Sequence, residues 1–386
     1  MIKPVSRHSM NKATKTSRRY KVISTDTALI EGLDGLTGPV AVDTEFHSEH
    51  RYEPTLMMIQ IADATGDILL IDVLSIDDLK PIGAALAKRT IITHAGHHDI
   101  PLLIAHAGLK PDQVIDVQVL AGFCGFGYPK RLEELERRVL DIAPCKSETL
   151  SDWSRRPLRP AQLKYAAADV ANLHRLHEVL SDMTPNADLA QGCTDALRAE
   201  SLEEIKPEES WRKIIGARVL NARERGILKT ICTWREITAQ ERNQQVHQVA
   251  SPSVVLDLAR RRPKTIGALR GNRIFPRGVA NRFGEELLAQ IAIGEKVPEH
   301  ELPESVALSP IEEWVATSIK VLGHKVEIET GLAATLLFPK KVVSSLVGDL
   351  TSSTPTSIIG SWREQIASVG VQEIFEAAKT MKAKTG

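Results

Sequence analysis

Short apolar runs alternate with polar, turn-like segments over residues 39–75. One run covers residues 40–42 and leads directly into acidic residues, and two more cover residues 56–62 and 68–73. Runs of this length that are rich in Val, Ile and Leu predict strands. The connections between them are turn-like, with Gly66-Asp67 before the third run. The pattern therefore predicts three strands in an antiparallel meander.

Beyond residue 75 the periodicity changes to an alternation of helical and strand-like segments. Helical spacing is found over residues 76–87, 100–107, 132–140 and 162–180, and strand-like runs cover residues 90–94 and 114–117. A meander followed by such alternation predicts an α/β domain with a mixed sheet, which ends near residue 185.

Strand patterns nearly disappear from Trp211 onward, where segments of helical spacing are broken by proline and glycine. Two polar stretches separate the blocks and are predicted as linkers. The predicted organisation is a basic flexible arm at 1–21, an α/β domain at 22–185, a linker at 186–210, a helical domain at 211–295, a linker at 296–310 and a second helical domain at 311–386.

The charge distribution indicates an anionic partner for the first helical domain. Lys and Arg total 49, as do Asp and Glu, so the formal net charge is zero. Residues 211–282, however, contain 16 Lys and Arg against 4 Asp and Glu, and the first acidic residue of the chain is Asp26. A strongly basic block can bind phosphates without reading base sequence. The densest candidates for such contacts are Arg260, Arg261, Arg262, Lys264, Arg270, Arg273 and Arg277.

Composition excludes several classes of protein. Hydrophobic residues make up 42% and charged residues 25%, which is typical of a globular protein and not of a disordered or collagen-like one. No apolar stretch approaches the roughly 18 residues of a membrane span. The basic arm lacks the apolar core of a secretory signal. The four cysteines are widely spaced, so we expect reduced thiols in a cytoplasmic protein.

Acidic residues in three separate segments are the candidates for catalysis. Asp43 and Glu45 lie two apart on a predicted strand, so their side chains share a face. Asp99 lies at a strand–helix junction, and Tyr165 and Asp169 lie four apart on a predicted helix. Each motif alone has an ordinary structural explanation, such as a solvated strand end or a helix N-cap.

Together the three motifs point to metal chemistry. Four carboxylates that converge can bind hard divalent cations such as Mg²⁺ or Mn²⁺. Two such ions about 4 Å apart can stabilise the attacking and leaving oxygens of a phosphoryl displacement. A phenol beside the last carboxylate can orient the attacking water.

In this combination the sequence resembles the ribonuclease D family, the tyrosine-bearing branch of the DEDD exonucleases. The resemblance is carried by Asp43-Thr44-Glu45, Asp99, the Asp152–Leu158 stretch DWSRRPL, and Tyr165 with Asp169. Residues 211–295 resemble an HRDC domain, and residues 311–386 are similar to a second, weaker HRDC-like domain.

The resemblance implies an RNase H-like α/β exonuclease domain followed by all-α HRDC-like domains. It implies that Asp43, Glu45, Asp99 and Asp169 hold two divalent metal ions, that Tyr165 positions the water, and that Thr44 and Gln60 lie near the 3′-terminal nucleotide. The expected substrate is RNA with a single-stranded 3′ end, such as a tRNA precursor. We expect a monomer without an obligate protein partner or a membrane. A DNA exonuclease and a catalytically idle nucleic-acid-binding adaptor are the alternatives.

Overall fold

The computed structural model describes residues 19–48, 51–143, 148, 151–203, 206–271, 275–305, 307–351 and 355–385. Residues 1–18 of the predicted basic arm lie outside the described residues. The chain divides into two compact units. The first contains residues 1–45, 57–117 and 131–182, and the second contains residues 46–56, 118–130 and 183–386, as far as these are described.

In the described part of the chain, six strands form one mixed sheet in the order β1-β4-β3-β2-β5-β6. The strands are β1 (Tyr20–Ile23), β2 (Val40–His47), β3 (Thr55–Asp63), β4 (Ile68–Asp72), β5 (Thr90–Thr93) and β6 (Gln113–Asp116). Strands β3 and β4 pair antiparallel. The pairs β1/β4, β2/β5 and β5/β6 are parallel.

Helices lie between and after these strands in the chain up to residue 185. They are α1 (Asp26–Asp34), α2 (Lys80–Ala87), α3 (Asp99–Ala107), α4 (Val117–Phe123), α5 (Leu132–Leu140), α6 (Pro160–Ala171) and α7 (Leu173–Met183). Consecutive residues of β3, such as Met58 and Ile59, are both fully buried. Because neighbouring strand residues point to opposite faces, both faces of the sheet are covered.

The fold confirms the predicted mixed α/β domain and refines its boundaries. The three strands of the predicted meander correspond to β2, β3 and β4, which are adjacent in that order. Helix α2 begins at Lys80 rather than 76, because Pro81 lies in its first turn and Asp78 accepts a hydrogen bond from the Lys80 amide. The predicted helix 162–180 is two helices, which meet at Asn172.

Strand β1 was not predicted, since residues 1–21 were assigned to a flexible arm. Tyr20 and Lys21 belong to this edge strand, which pairs in register with β4. Only Ile23 of its four residues is buried. A four-residue strand with one buried side chain leaves almost no hydrophobic pattern in the sequence.

The second unit is helical after residue 185. Its helices are α8 (Ala187–Ser201), α9 (Ala222–Glu241), α10 (Val246–Val249), α11 (Pro252–Arg261), α12 (Ile266–Arg270), α13 (Arg277–Lys296), α14 (Pro310–Thr330), α15 (Ala334–Leu337), α16 (Lys340–Gly348) and α17 (Glu364–Thr385). Between residues 211 and 291, aliphatic side chains pack around Trp211 and Phe283 in one core. The segment predicted as the first linker carries α8, which Asn186 caps through the Leu189 amide.

Residues 46–56, which run from the end of β2 to the start of β3, belong to the second unit as far as they are described. The hydroxyl of Tyr52 donates to Oε1 of Glu236 at 3.0 Å and accepts from Nε2 of Gln240 at 3.0 Å. Oδ1 of Asn243 accepts from the amides of Tyr52 and Glu53. The single continuous domain expected over residues 22–185 is therefore interrupted by a segment that helix α9 binds.

Within the described residues, no helix combines the length and the apolar composition needed to cross a membrane.

Candidate active site

Four acidic side chains from three elements meet in the first unit. Asp43 and Glu45 lie near the carboxyl end of β2, Asp99 is the first residue of α3, and Asp169 lies in the last turn of α6. Their positions follow from the local sequence. Residues 40–42 are apolar and are buried in the sheet at the start of β2. Side chains alternate between the two faces of a strand, so Asp43 and Glu45 lie on the same face.

Three of these carboxylates are close enough to share a cation. One ligand oxygen from each of Asp43, Glu45 and Asp169 lies within 4.8 Å of the others. Asp99 joins the group through Thr44, whose hydroxyl donates to Oδ1 of Asp99 at 2.5 Å. Asp99 itself is buried. The structure therefore brings together all four carboxylates that the sequence singled out.

Burial and the proximity of like charges raise the pKa values of the carboxylates in the cluster. Burial first, and then the charge of Asp169, raises the pKa of Asp43 well above its usual value. Burial, followed by Asp43 and Asp99, raises the pKa of Glu45 to about 9. Burial and Asp43 likewise raise the pKa of Asp99, although the Thr44 hydrogen bond opposes this shift. The cluster is therefore unfavourable as four bare anions.

A divalent cation removes this unfavourable repulsion. The donor set consists of carboxylate oxygens, which are the ligands that Mg²⁺ prefers. A bound cation stabilises the charged carboxylates and lowers their pKa values, which is the opposite of what burial does. The residues present thus fit a divalent metal site.

Tyr165 and Asp169 are brought together by one turn of α6. The Tyr165 hydroxyl donates a hydrogen bond to the Asp169 carboxylate, which partly offsets the increase in the pKa of Asp169 caused by burial and by Glu45. Between them Ala166 and Ala167 are buried, so the helix packs closely at this point. The N-terminus of α6 is fixed by Gln162, whose side chain accepts from the Arg159 amide at 3.1 Å.

Two further carboxylates near Asp169 were missed by the sequence reasoning. Glu136 and Glu133 lie on α5, and their charges raise the pKa of Asp169 in addition to Glu45. Glu136 is buried, and its Oε1 accepts from Nδ2 of Asn172 at 2.7 Å. The only signal in the sequence is LEELE at residues 132–136, where position 136 falls on the buried side of an amphipathic helix. A buried glutamate is rare enough to be informative once its burial is known.

Thr44 and Gln60 are both buried side chains. The Thr44 hydroxyl is already used by Asp99. Gln60 is fully buried, and neither its amide oxygen nor its amide nitrogen has a partner in the described part of the chain. Contact of either side chain with the 3′-terminal nucleotide stays a prediction, because neither is accessible in this state.

The basic residues of the first helical domain fall into two groups. Most are exposed. One group already pairs with another side chain: Arg261 forms an ion pair with Asp257 at 2.8 Å, Lys264 forms one with Glu295, and Arg270 donates to Oδ1 of Asn281 at 2.9 Å. Arg260 and Arg277 are exposed and Arg262 is half-buried, whereas Arg273 lies outside the described residues.

The fold and the site define a 3′–5′ exonuclease domain that is followed by helical domains. Residues 20–185 match the family model described as 3′-5′ exonuclease, and residues 224–291 match that of the HRDC domain. The carboxylates and Tyr165 all lie within the first match.

Known ribonucleases D match nearly the whole chain. Ribonuclease D from Escherichia coli (strain K12) is 30% identical over 376 residues, covering 92% of this chain and 98% of that protein. Ribonuclease D from Jannaschia sp. (strain CCS1) is 31% identical over 360 residues, covering 89% and 92%. The crystal structure of Escherichia coli RNase D, described as an exoribonuclease involved in structured RNA processing, has a TM-score of 0.82 at 28% identity, covering 93% of this chain and 99% of that chain.

The chain belongs to the ribonuclease D family and is a 3′–5′ exoribonuclease of the DEDD superfamily. The predicted family, the predicted α/β domain followed by helical domains, and the predicted activity are thereby confirmed. Membership also implies a dependence on divalent metal ions, and the grouping of Asp43, Glu45 and Asp169 is compatible with binding such an ion.

Proposed function

We propose that this chain hydrolyses the last phosphodiester bond of RNA with a single-stranded 3′ end, uses two divalent cations, and releases nucleoside 5′-monophosphates. The observation that carries the proposal is the gathering of Asp43, Glu45 and Asp169 within 4.8 Å, with Asp99 hydrogen-bonded beside them. The physiological substrates would be tRNA precursors and other structured RNAs that carry such ends.

In this proposal, Asp43, Glu45, Asp99 and Asp169 hold the cations, which are Mg²⁺ or Mn²⁺. Bound cations would polarise the scissile phosphate and lower the pKa of the attacking water. The protein's own contribution is to hold four carboxylates in a fixed, partly buried arrangement, so that little reorganisation is needed when substrate binds. Thr44 contributes by fixing Asp99.

Tyr165 orients the attacking water. Its hydroxyl bonds to Asp169, so the phenol oxygen lies at the edge of the carboxylate cluster. A phenol that donates to a carboxylate keeps its oxygen as an acceptor, so we infer that Tyr165 acts as a hydrogen-bonding group for water rather than as a strong base.

The first helical domain holds the RNA through phosphates. Its surplus of basic residues supports binding that depends on salt and not on base sequence. Exposed Arg260 and Arg277 are the strongest candidates among the predicted residues, because the structure records no acidic partner for either of them within the described residues.

One assay tests the proposed function. Purified protein with Mg²⁺ is offered single-stranded RNA and DNA of the same sequence, labelled at the 5′ end in one set and at the 3′ end in another. We expect the 3′ label to be released first, as a mononucleotide, and RNA to be degraded faster than DNA. Faster degradation of DNA would favour the DNA exonuclease, and binding without release would favour the adaptor.

A second measurement addresses the metal. Mg²⁺ or Mn²⁺ is titrated into protein from which a chelator has removed the metal ions, and the recovery of activity is measured. The number of bound ions is measured by calorimetry in the presence of a non-hydrolysable RNA analogue. Two ions per chain would support the two-metal arrangement, and a single ion would contradict it.

A further inference from the structure

Arg156 connects the segment between α5 and α6 to the sheet. Its Nε and one terminal nitrogen form a fork on the Asp72 carboxylate, at 2.7 and 2.5 Å. The same terminal nitrogen donates to the carbonyl of Met57 at 3.2 Å. Asp72, at the end of β4, also accepts from the amide of Leu74 and the hydroxyl of Ser75. The Asp72 carboxylate is thus fully occupied and rigidly held.

The other terminal nitrogen of Arg156 reaches Trp153. It donates to the Trp153 carbonyl at 2.7 Å. The preceding carbonyl, that of Asp152, accepts from Nε2 of Gln162 on α6 at 3.3 Å. Two side chains anchored on different elements therefore fix the backbone on both sides of the Trp153 α-carbon.

The ring of Trp153 packs beside the proposed water-orienting tyrosine. The ring centroids of Trp153 and Tyr165 are 6.3 Å apart, with an interplanar angle of 43°. Trp153 is buried, and its indole nitrogen has no hydrogen-bond partner in the described part of the chain. Because no polar contact fixes the ring itself, its position depends on packing and on its backbone, which Arg156 and Gln162 hold.

We propose that Arg156 is a positioning residue for the hydrolytic reaction: by fixing Trp153 against Tyr165 it sets the orientation of the Tyr165 phenol. This inference rests on the proposed role of Tyr165. Arg156 contacts the carboxylate of Asp72, which is not part of the proposed metal site, and it is not proposed to contact the substrate. It acts at a distance, through the path Asp72–Arg156–Trp153–Tyr165.

The geometry requires an arginine rather than any cation. The planar fork places two nitrogens on Asp72 while the third reaches the Trp153 carbonyl, which the single ammonium group of a lysine cannot reproduce. The neighbouring Arg155 provides the contrast. Its side chain is 84% exposed, and it forms an ion pair with Asp152 at 3.0 Å.

The test is a double-mutant cycle with Arg156→Lys and Tyr165→Phe, measured with 5′-labelled single-stranded RNA and saturating Mg²⁺. In the wild-type background, we expect Arg156→Lys to lower kcat about tenfold and to leave KM within about twofold. In the Tyr165→Phe background the same substitution should change kcat by less than about twofold, because the group it positions is gone. The matched control Arg155→Lys should have little effect in either background.

The outcomes separate the inference from the proposed function. If Tyr165→Phe leaves kcat unaltered, the role of the tyrosine fails and the inference with it. If Tyr165→Phe lowers kcat but Arg156→Lys costs the same factor in both backgrounds, the role of the tyrosine stands and the inference alone is overturned. A rise in KM without a fall in kcat overturns it as well.

A second variant tests the same path if Arg156→Lys does not fold. Thermal unfolding shows whether Arg156→Lys is folded, and if it is not, Trp153→Phe is carried through the same cycle. The smaller ring leaves the pairing of Arg156 with Asp72 and the Trp153 carbonyl that Arg156 binds in place, and it weakens the contact with Tyr165. We expect the same pattern of a large effect alone and a small effect beside Tyr165→Phe, and additive effects would refute the proposed path.

Discussion

The hydroxyl of Thr44 donates to Oδ1 of Asp99 at 2.5 Å, although 55 residues separate the two in the chain. Thr44 stands between the two acidic residues of β2, and Asp99 begins α3. A single hydrogen bond therefore ties the third carboxylate to the strand that bears the first two. Because it stabilises the charged form of Asp99, it also counteracts the increase in pKa caused by burial and by Asp43.

This bond predicts a specific defect in metal binding. Thr44→Val keeps the shape of the side chain but removes the donor, so the charged form of Asp99 loses a hydrogen bond worth about 1.5–3 kcal/mol. We expect the Mg²⁺ concentration that gives half-maximal activity to rise about tenfold or more. Thr44→Ser retains a hydroxyl and should stay close to wild type. Equal Mg²⁺ requirements for the Val and Ser variants would show that the hydroxyl does not support the metal site.

The carboxylates themselves should separate hydrolysis from binding. We expect Asp43→Ala or Asp169→Asn to lower turnover about a thousandfold or more, since each removes a proposed metal ligand. Filter binding of labelled RNA in high-salt and low-salt buffer should show near wild-type affinity, because the basic residues of the helical domain are unchanged. Comparable loss of both properties would contradict this division between the two parts of the chain.

The sequence pattern indicates which acidic side chains lie together better than it indicates how they interact. Asp43, Glu45, Asp99, Tyr165 and Asp169 were identified because their types and spacings form an ordered combination. The bond between Thr44 and Asp99 left no such signal, since alternation along β2 would place Thr44 away from the two acids. Contacts between residues far apart in sequence depend on how the elements pack, which local periodicity does not contain.

The differences in the fold have identifiable causes. The first linker is expected to carry at most a short helix, and α8 is longer, with a local N-cap from Asn186. Strand β1 has a single buried residue, so its pairing with β4 decides its conformation more than local preference does. Glu136 was missed for the same reason: a glutamate in an amphipathic helix is usually exposed, and only the packing of α5 shows that it is buried.

Removal of the Tyr165 hydroxyl should reduce turnover without weakening the metal site. We expect Tyr165→Phe to lower kcat about a hundredfold, which is the usual contribution of a group that orients or transfers a proton. The Mg²⁺ titration midpoint should stay within about threefold of wild type, because the four carboxylates are intact. Turnover equal to that of the wild type would remove Tyr165 from the mechanism.

The raised pKa values predict how stability depends on pH. Glu45 has a pKa of about 9 in the folded, metal-free protein, and its ordinary value is 4.5. Between these values the folded state binds more protons than the unfolded state, so this contribution to stability is fully present below about pH 4.5 and is lost as pH rises towards 9. In the presence of a chelator, we expect the thermal midpoint to fall over this range, and to fall less in Glu45→Gln.

Added Mg²⁺ should show the complementary trend. The cation binds deprotonated carboxylates, so its stabilisation of the folded state grows as pH rises. We therefore expect the increase in thermal midpoint on addition of Mg²⁺ to be larger at about pH 8.5 than at about pH 5.5. An increment that does not change with pH would mean that the carboxylates are already ionised without metal.

The two groups of basic residues predict unequal effects on RNA binding. Arg260 and Arg277 are exposed, whereas Arg261 and Lys264 already pair with Asp257 and Glu295. We expect the double substitution Arg260→Ala, Arg277→Ala to weaken RNA binding. The slope of log affinity against log salt should fall by about 1–2, because each arginine that neutralises a phosphate adds slightly less than one to that slope.

The matched control removes the same formal charge from the paired residues. Arg261→Ala with Lys264→Ala removes two side chains that already pair with Asp257 and Glu295, so we expect it to remove less phosphate binding than loss of Arg260 and Arg277. Its salt slope should stay closer to that of the wild type. In both double variants kcat at saturating RNA should be unchanged, since none of the four residues belongs to the carboxylate site. If the two variants lower the salt slope equally, net charge rather than individual exposed arginines governs RNA binding.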